Sequence, residues 1–145
     1  MIVPDVNLLV YAYSTGAPEH GRAREWWEDL LNGAEGVALP WATSLGFVRL
    51  VTSSRVLDRP MQSGKAIAVV RSWLDRANTE VLNPGPRHLE ILARLLEAAG
   101  AAGSLTTDAH LAALSIEYQC ELHSNDADFQ RFPGLRWRNP LSERG

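Results

Sequence analysis

The chain has 145 residues, of which 46% are hydrophobic and 21% charged, with a formal net charge of -3. This suffices for one domain with an ordinary core, and no stretch is long and apolar enough to span a bilayer. The single cysteine, Cys120, excludes a disulfide framework and a cysteine zinc site, and the negative balance argues against indiscriminate polyanion binding but not against a local basic rim or a bound cation.

Ile2-Val3-Pro4 is a short apolar run, too short for a helix, and its flanks suit a buried strand. Asp5 falls where that strand ends and a helical pattern through Leu8 and Leu9 begins; it is either a helix cap or a site residue. The spacing predicts a helix over Glu19 to Asn32, with an apolar stripe of Trp26, Trp27, Leu30 and Leu31, ended by Asn32-Gly33 as a left-handed pair. Gly36 to Pro40 reads as a second strand, after which Thr43 or Ser44 can cap a helix carrying Leu45, Phe47, Val48, Leu50 and Val51.

Ser53 to Pro60 is a polar connection containing Arg55 and Arg59, and Met61 to Ala77 again has helical periodicity. Glu80 to Leu82 is a third strand, closed by the turn signals Asn83-Pro84-Gly85-Pro86. A leucine-rich helix follows, broken at Gly100 and Gly103, and Leu105 to Tyr118 is another. Glu121 to Ser124 is a fourth strand, Asn125 to Phe132 a loop or short helical turn, and Leu135 to Trp137 a last strand. Cys120 sits in apolar surroundings and is read as a buried, inert thiol. Strands alternating with helices imply an α/β fold built on a mostly parallel sheet, in one domain over residues 1–145. The N-terminus has no basic segment or cleavage site of a signal peptide, so the expected location is cytoplasmic.

In a parallel sheet all strand C-termini share one edge, which aims Asp5 and Asp126 at the same crevice. Asp108, in the first turn of the helix feeding strand four, can approach from the other side, and Asp128 follows two residues after Asp126. Several carboxylates close together repel one another unless some stay protonated or a cation neutralises them. Hard oxygen ligands suit magnesium or manganese. Such a cation lowers the pKa of its water and stabilises charge building on a phosphodiester, so the pattern points to metal-assisted hydrolysis. A serine or cysteine triad is unsupported, because no histidine has an evident nucleophilic partner. Asn7, Thr107 and Ser124 are candidates for orienting carboxylates or waters, and equally for satisfying local backbone groups. His110 is read as a surface or supporting residue, while His20, His88 and His123 carry no signal.

Pro4-Asp5-Val6-Asn7, the segment Leu39-Pro40-Trp41 to Thr52, the block Thr107-Asp108-Ala109-His110-Leu111 and the close Ser124-Asn125-Asp126-Ala127-Asp128-Phe129 occur in order along the chain. Together they resemble a PIN-domain ribonuclease of the VapC toxin type. The resemblance implies a three-layer α/β/α sandwich around about five short strands, with Mg²⁺ or Mn²⁺ held at an acidic site. It implies cleavage of structured or single-stranded RNA (tRNA or rRNA), a cognate VapB-like antitoxin and a homodimer. Its acids match Asp5, Asp108 and Asp126, with Asp128 as a frequent additional acid. Arg49 is the leading candidate for a phosphate contact, ahead of Arg55 and Arg59, or equally for an ion pair with a site carboxylate or an antitoxin residue.

One departure stands out. The family's usual second acid falls near Gly46, in Ser44-Leu45-Gly46-Phe47-Val48-Arg49, which has no carboxylate. The vacancy implies weaker cation binding, a one-metal site, or Asp128 in the missing role. It also keeps open a non-catalytic RNA- or protein-binding module with a degenerate acidic site. A DNA-directed structure-specific nuclease would use the same metal chemistry, but ranks lower at this length.

Overall fold

The computed structural model describes residues 1–100 and 103–142. Its strands are β1 (Ile2–Pro4), β2 (Val37–Pro40), β3 (Thr79–Leu82), β4 (Glu121–His123) and β5 (Trp137–Arg138). Its helices are α1 (Val6–Tyr13), α2 (His20–Asn32), α3 (Trp41–Val51), α4 (Ser63–Leu74), α5 (His88–Ala99) and α6 (Thr106–Glu117), with a 3₁₀ turn at Ala127–Arg131. The strands form one sheet in the order β3-β2-β1-β4-β5, and every pairing is parallel.

This order sets where the sheet leaves a crevice. The chain leaves β1 to build β2 and β3 on one side and returns later to place β4 on the other. The order therefore reverses between β1 and β4, where open α/β sheets leave a crevice at the strand C-termini. Ile2, Val3 and Pro4 align with Glu121, Leu122 and His123, so the residues following each strand emerge side by side.

The layers follow from the two-residue period of the strands. Val37 and Leu39 join a core with Leu8, Leu9, Trp27, Phe47 and Trp73, while Ala38 and Val3 join one with Ile91, Leu95, Ala109, Leu122 and Phe129. Both sheet faces are thus covered, giving the three-layer α/β/α sandwich that the resemblance implies, on the parallel sheet that the pattern predicts. Helix α5 is closed by Gly100, whose φ of 66° is the left-handed conformation that favours glycine. Cys120 is buried, and burial pushes its thiol up, away from the reactive thiolate. No helix among the described residues is long and apolar enough to cross a membrane.

Several boundaries differ from expectation. Helix α3 begins at Trp41, with Pro40 in extended geometry at its N-cap, so Thr43 and Ser44 lie buried inside the helix and cap nothing. Gly33 ends α2 in extended backbone (φ -89°, ψ 179°) rather than left-handed. Helix α4 spans Ser63–Leu74, shorter at both ends than its periodicity, because Met61 and Gln62 complete the approach and Asp75 closes the helix. Of the adjacent tryptophans, Trp27 is core, whereas Trp26 is half-buried and donates its indole N–H to Nδ1 of His123 at 2.9 Å.

Candidate active site

Asp5 is the N-cap of α1, with φ -78° and ψ 148°, and its Oδ1 accepts from the Val6 N–H at 2.8 Å. The capping reading therefore holds for one oxygen of this side chain, and its second oxygen reaches across to the end of β4. There Oδ2 accepts from the Ser124 hydroxyl at 2.7 Å, in a contact buried from solvent. Asp5 is only 5% exposed, an uncommon position for a carboxylate without a cationic partner.

Ser124 follows β4 and is fully buried. Its hydroxyl donates to Asp5 and accepts from the Asp126 N–H at 3.0 Å, while its carbonyl accepts from the indole of Trp137 at 3.0 Å. Asp126 in turn caps the 3₁₀ turn, its Oδ1 accepting from the Asp128 N–H at 2.9 Å. One hydroxyl thus brackets the ends of β1 and β4, and a short relay of hydrogen bonds leads outward from buried Asp5 to exposed Asp128.

Asp108 arrives on the first turn of α6 and is half-buried. Burial, followed by the charges of Asp5, Asp126 and Asp128, pushes its carboxyl up to about 6. Burial also raises Asp5, with Asp126 adding to the shift and the donors Ser124 and Val6 opposing it. The four carboxylates thus share one field, although their attachment points lie on three separate segments.

Asn7, Arg49 and Thr107 are exposed, and among the described residues none of them donates a hydrogen bond to these carboxylates. Gly46 lies on α3 against α1: a Cβ there would sit 3.4 Å from Cγ2 of Val6, the residue after Asp5. The position of the missing acid therefore borders the first turn of the Asp5 helix.

Three supporting contacts have little sequence signal. The Thr43 hydroxyl donates to the carbonyl of Pro4 at 3.1 Å, pinning the residue before Asp5. His123, buried beside Ser124, accepts from Trp26 at Nδ1 and has Nε2 2.7 Å from Glu121, which fixes the tautomer with hydrogen on Nε2. On the other face, His88 is buried with its Nε2 2.8 Å from Nδ1 of His110, tying α5 to α6 two residues past Asp108. The pairing rule that could have flagged these histidines requires knowing which helices touch.

Among the described residues, no three carboxylate, histidine or cysteine side chains close into a ready-made metal cage. The donor set is nevertheless all hard oxygen, and its mutual repulsion is what a divalent cation relieves. Mg²⁺ keeps several waters and needs only one or two direct carboxylates, so a loosely gathered acidic crevice fits it better than a closed cage would.

The profile described as PIN domain matches residues 2–135. The chain belongs to the PIN-domain family. Ribonuclease VapC33 of Mycobacterium tuberculosis is 50% identical over 143 residues, covering 99% of this chain and all of that protein. Ribonuclease VapC37 of the same organism is 40% identical over 140 residues, covering 97% of each. The VapC component of this resemblance is shared over the whole length, so the PIN-domain chain is of VapC type. Among solved structures, a VapBC2 complex from Rickettsia felis bound to a promoter DNA fragment superposes with a TM-score of 0.69 at 19% identity, over 96% of this chain and 98% of that one, and shows the same fold.

Proposed function

We propose that this PIN-domain chain is a divalent-cation-dependent endoribonuclease, the toxin of a type II toxin–antitoxin pair, acting on tRNA or rRNA. The observation that carries the reading is the Ser124 hydroxyl joining Asp5 to the Asp126 backbone at the ends of β1 and β4, with Asp108 near enough on α6 for the charges of Asp5, Asp126 and Asp128 to raise its carboxyl. The names of the VapC relatives support nuclease activity, and the VapB–VapC pairing in the structural relative supports a VapB-like antitoxin as partner. A homodimer in the cytoplasm completes the reading.

Asp5, Asp108 and Asp126 would hold Mg²⁺ or Mn²⁺, directly or through water, with Asp128 assisting from the exposed end. When bound, the cation supplies Lewis-acid stabilisation of the phosphodiester under attack and a more acidic water. Ser124 would aim Asp5, and its hydroxyl favours the charged form of a carboxylate that burial disfavours. Asp126 is held by its own backbone bond to Ser124, so one hydroxyl ties it to Asp5. Arg49, exposed on α3, is the phosphate-positioning group, with Asn7 and Thr107 available to orient water.

Asp5→Asn tests the assignment. The variant should retain a native circular dichroism spectrum and lose RNA cleavage; full Mg²⁺-dependent cleavage by it overturns the reading. EDTA should stop the wild-type reaction, and Mg²⁺ or Mn²⁺ should restore it. Gly46 favours a second reading, a binding module with a degenerate acidic site. That reading predicts RNA or partner binding with no cleavage at any cation concentration.

A further inference from the structure

Helix α1 and helix α3 lie side by side from the Val6–Gly46 contact at the acidic crevice to the edge-on contact of the Tyr13 and Phe47 rings, 5.4 Å between centroids. Beyond that seam a groove of about 490 Å³ opens between the end of α1, its following loop and the α3–α4 connection. Its lining includes Tyr11, Ser14 and Thr15 on one side and Val56, Asp58 and Arg59 on the other. Tyr11 lies one turn beyond Asn7 on the same face of α1, and about 9 Å along the helix from Asp5. Among the described residues, the Tyr11 hydroxyl and the side chains of Asp58 and Arg59 take part in no intramolecular hydrogen bond or ion pair.

We propose that this groove is a subsite for an unpaired nucleotide of the RNA strand, with the Tyr11 ring as stacking surface and Arg59 as phosphate contact. The inference rests on the ribonuclease reading and adds where the strand runs, from the carboxylates along the α1–α3 seam. A half-buried phenol at a groove wall offers a flat apolar face with a polar tip, which suits any base. The Arg59 guanidinium opposite supplies a positive charge at the groove of a chain whose net charge is -3, and the Asp58 carboxylate can accept from an exocyclic amino group. A duplex keeps its bases stacked inside and has none to place against Tyr11, so the groove selects single strands and loops.

The test is equilibrium binding of a fluorescein-labelled single-stranded RNA in EDTA, which reads the subsite without cleavage. Tyr11→Ala should weaken binding about tenfold while Tyr11→Phe binds as wild type. Arg59→Ala should lower the slope of log affinity against log salt by about 0.7. Affinity for blunt duplex RNA should not respond to either change. Wild-type affinity in a natively folded Tyr11→Ala overturns the proposal, as does equal weakening for duplex and single strand. Loss of binding to a VapB-like antitoxin with RNA affinity intact also overturns it, and assigns the groove to a protein. Because the Asp5→Asn cleavage assay stands apart, failure of the catalytic reading is distinguishable from failure of this one.

Discussion

The hydroxyl of Ser124 donates to Oδ2 of Asp5 at 2.7 Å across the β1–β4 boundary, in a contact closed to solvent. It is the point where two chain segments, 119 residues apart, are fastened into one site. A hydrogen bond to a buried charged group contributes about 1.5–3 kcal/mol. Ser124→Ala removes the donor that opposes burial at Asp5, so the Asp5 carboxyl should move further up. The acid limb of the pH–rate profile for Mg²⁺-dependent cleavage should shift to higher pH, with cleavage at pH 6 falling more than at pH 8. Ser124→Thr should restore the profile. A profile identical to wild type for Ser124→Ala would show that this hydroxyl does not tune Asp5.

Asp108 predicts an unusual stability profile. Its folded-state carboxyl is raised from 3.8 to about 6, so the folded form prefers the protonated acid. The corresponding stability is fully present below about pH 3.8 and is lost as pH rises through about 6. Asp108→Asn removes the repulsive charge, and the cation-free protein at pH 7 should gain about 1 kcal/mol after allowance for solvent screening of a half-buried group. The same variant should bind Mg²⁺ more weakly and lose cleavage. Thermal melts in EDTA at pH 4.5 and pH 7 check the sign: the advantage of Asp108→Asn should grow with pH. An advantage that shrinks with pH would contradict the shared field.

How much of this was legible in the sequence depends on the range of the interaction. The strands announce themselves as short apolar runs, because a strand buried on both faces, such as Val37-Ala38-Leu39, has no polar side to show, and most helices through periodicity, as α5 repeats leucine at helical spacing. Asp5, Asp108 and Asp126 are legible as site candidates because parallel strands must end at one edge. Thr43 and Ser44 misled because both are common caps; the helix instead starts directly after Pro40, which stands at the N-cap in extended geometry. Trp26 reaching His123, across 97 residues, has no local signature at all. Pairings of this kind depend on how α2 rests on the sheet, and nothing in the spacing of either residue encodes that.

Thr43 offers a test of such a long-range contact. Its hydroxyl donates to the Pro4 carbonyl at 3.1 Å and is buried, next to the residue that sets the path of Asp5. Thr43→Val keeps the shape and leaves that carbonyl without this donor. The expected cost is about 1–3 kcal/mol, seen as a lower urea midpoint with an unchanged m-value. Thr43→Ser keeps the hydroxyl and should lose less. If valine is as stable as threonine, the Pro4 carbonyl has another source of satisfaction and Thr43 does not hold the β1 end.

Gly46→Glu asks whether the vacant acid position limits the cation site. The added Cβ meets Cγ2 of Val6 at 3.4 Å, close enough that Val6 must adjust slightly, but the backbone is helical and needs no glycine. Replacing glycine inside a helix contributes about 0.5 kcal/mol in favour of the variant. A new carboxylate beside the first turn of α1 adds repulsion to Asp5, Asp126 and Asp108, so the cation-free protein gains less than that propensity or becomes less stable. The balance should reverse with Mg²⁺, because the added oxygen ligand lets the cation offset one more charge. Calorimetry should then show about tenfold tighter Mg²⁺ binding, and the melting temperature should rise more with Mg²⁺ than that of the wild type. Unchanged Mg²⁺ affinity in a folded Gly46→Glu would mean that the four aspartates already satisfy the ion and that the vacancy at 46 is no defect.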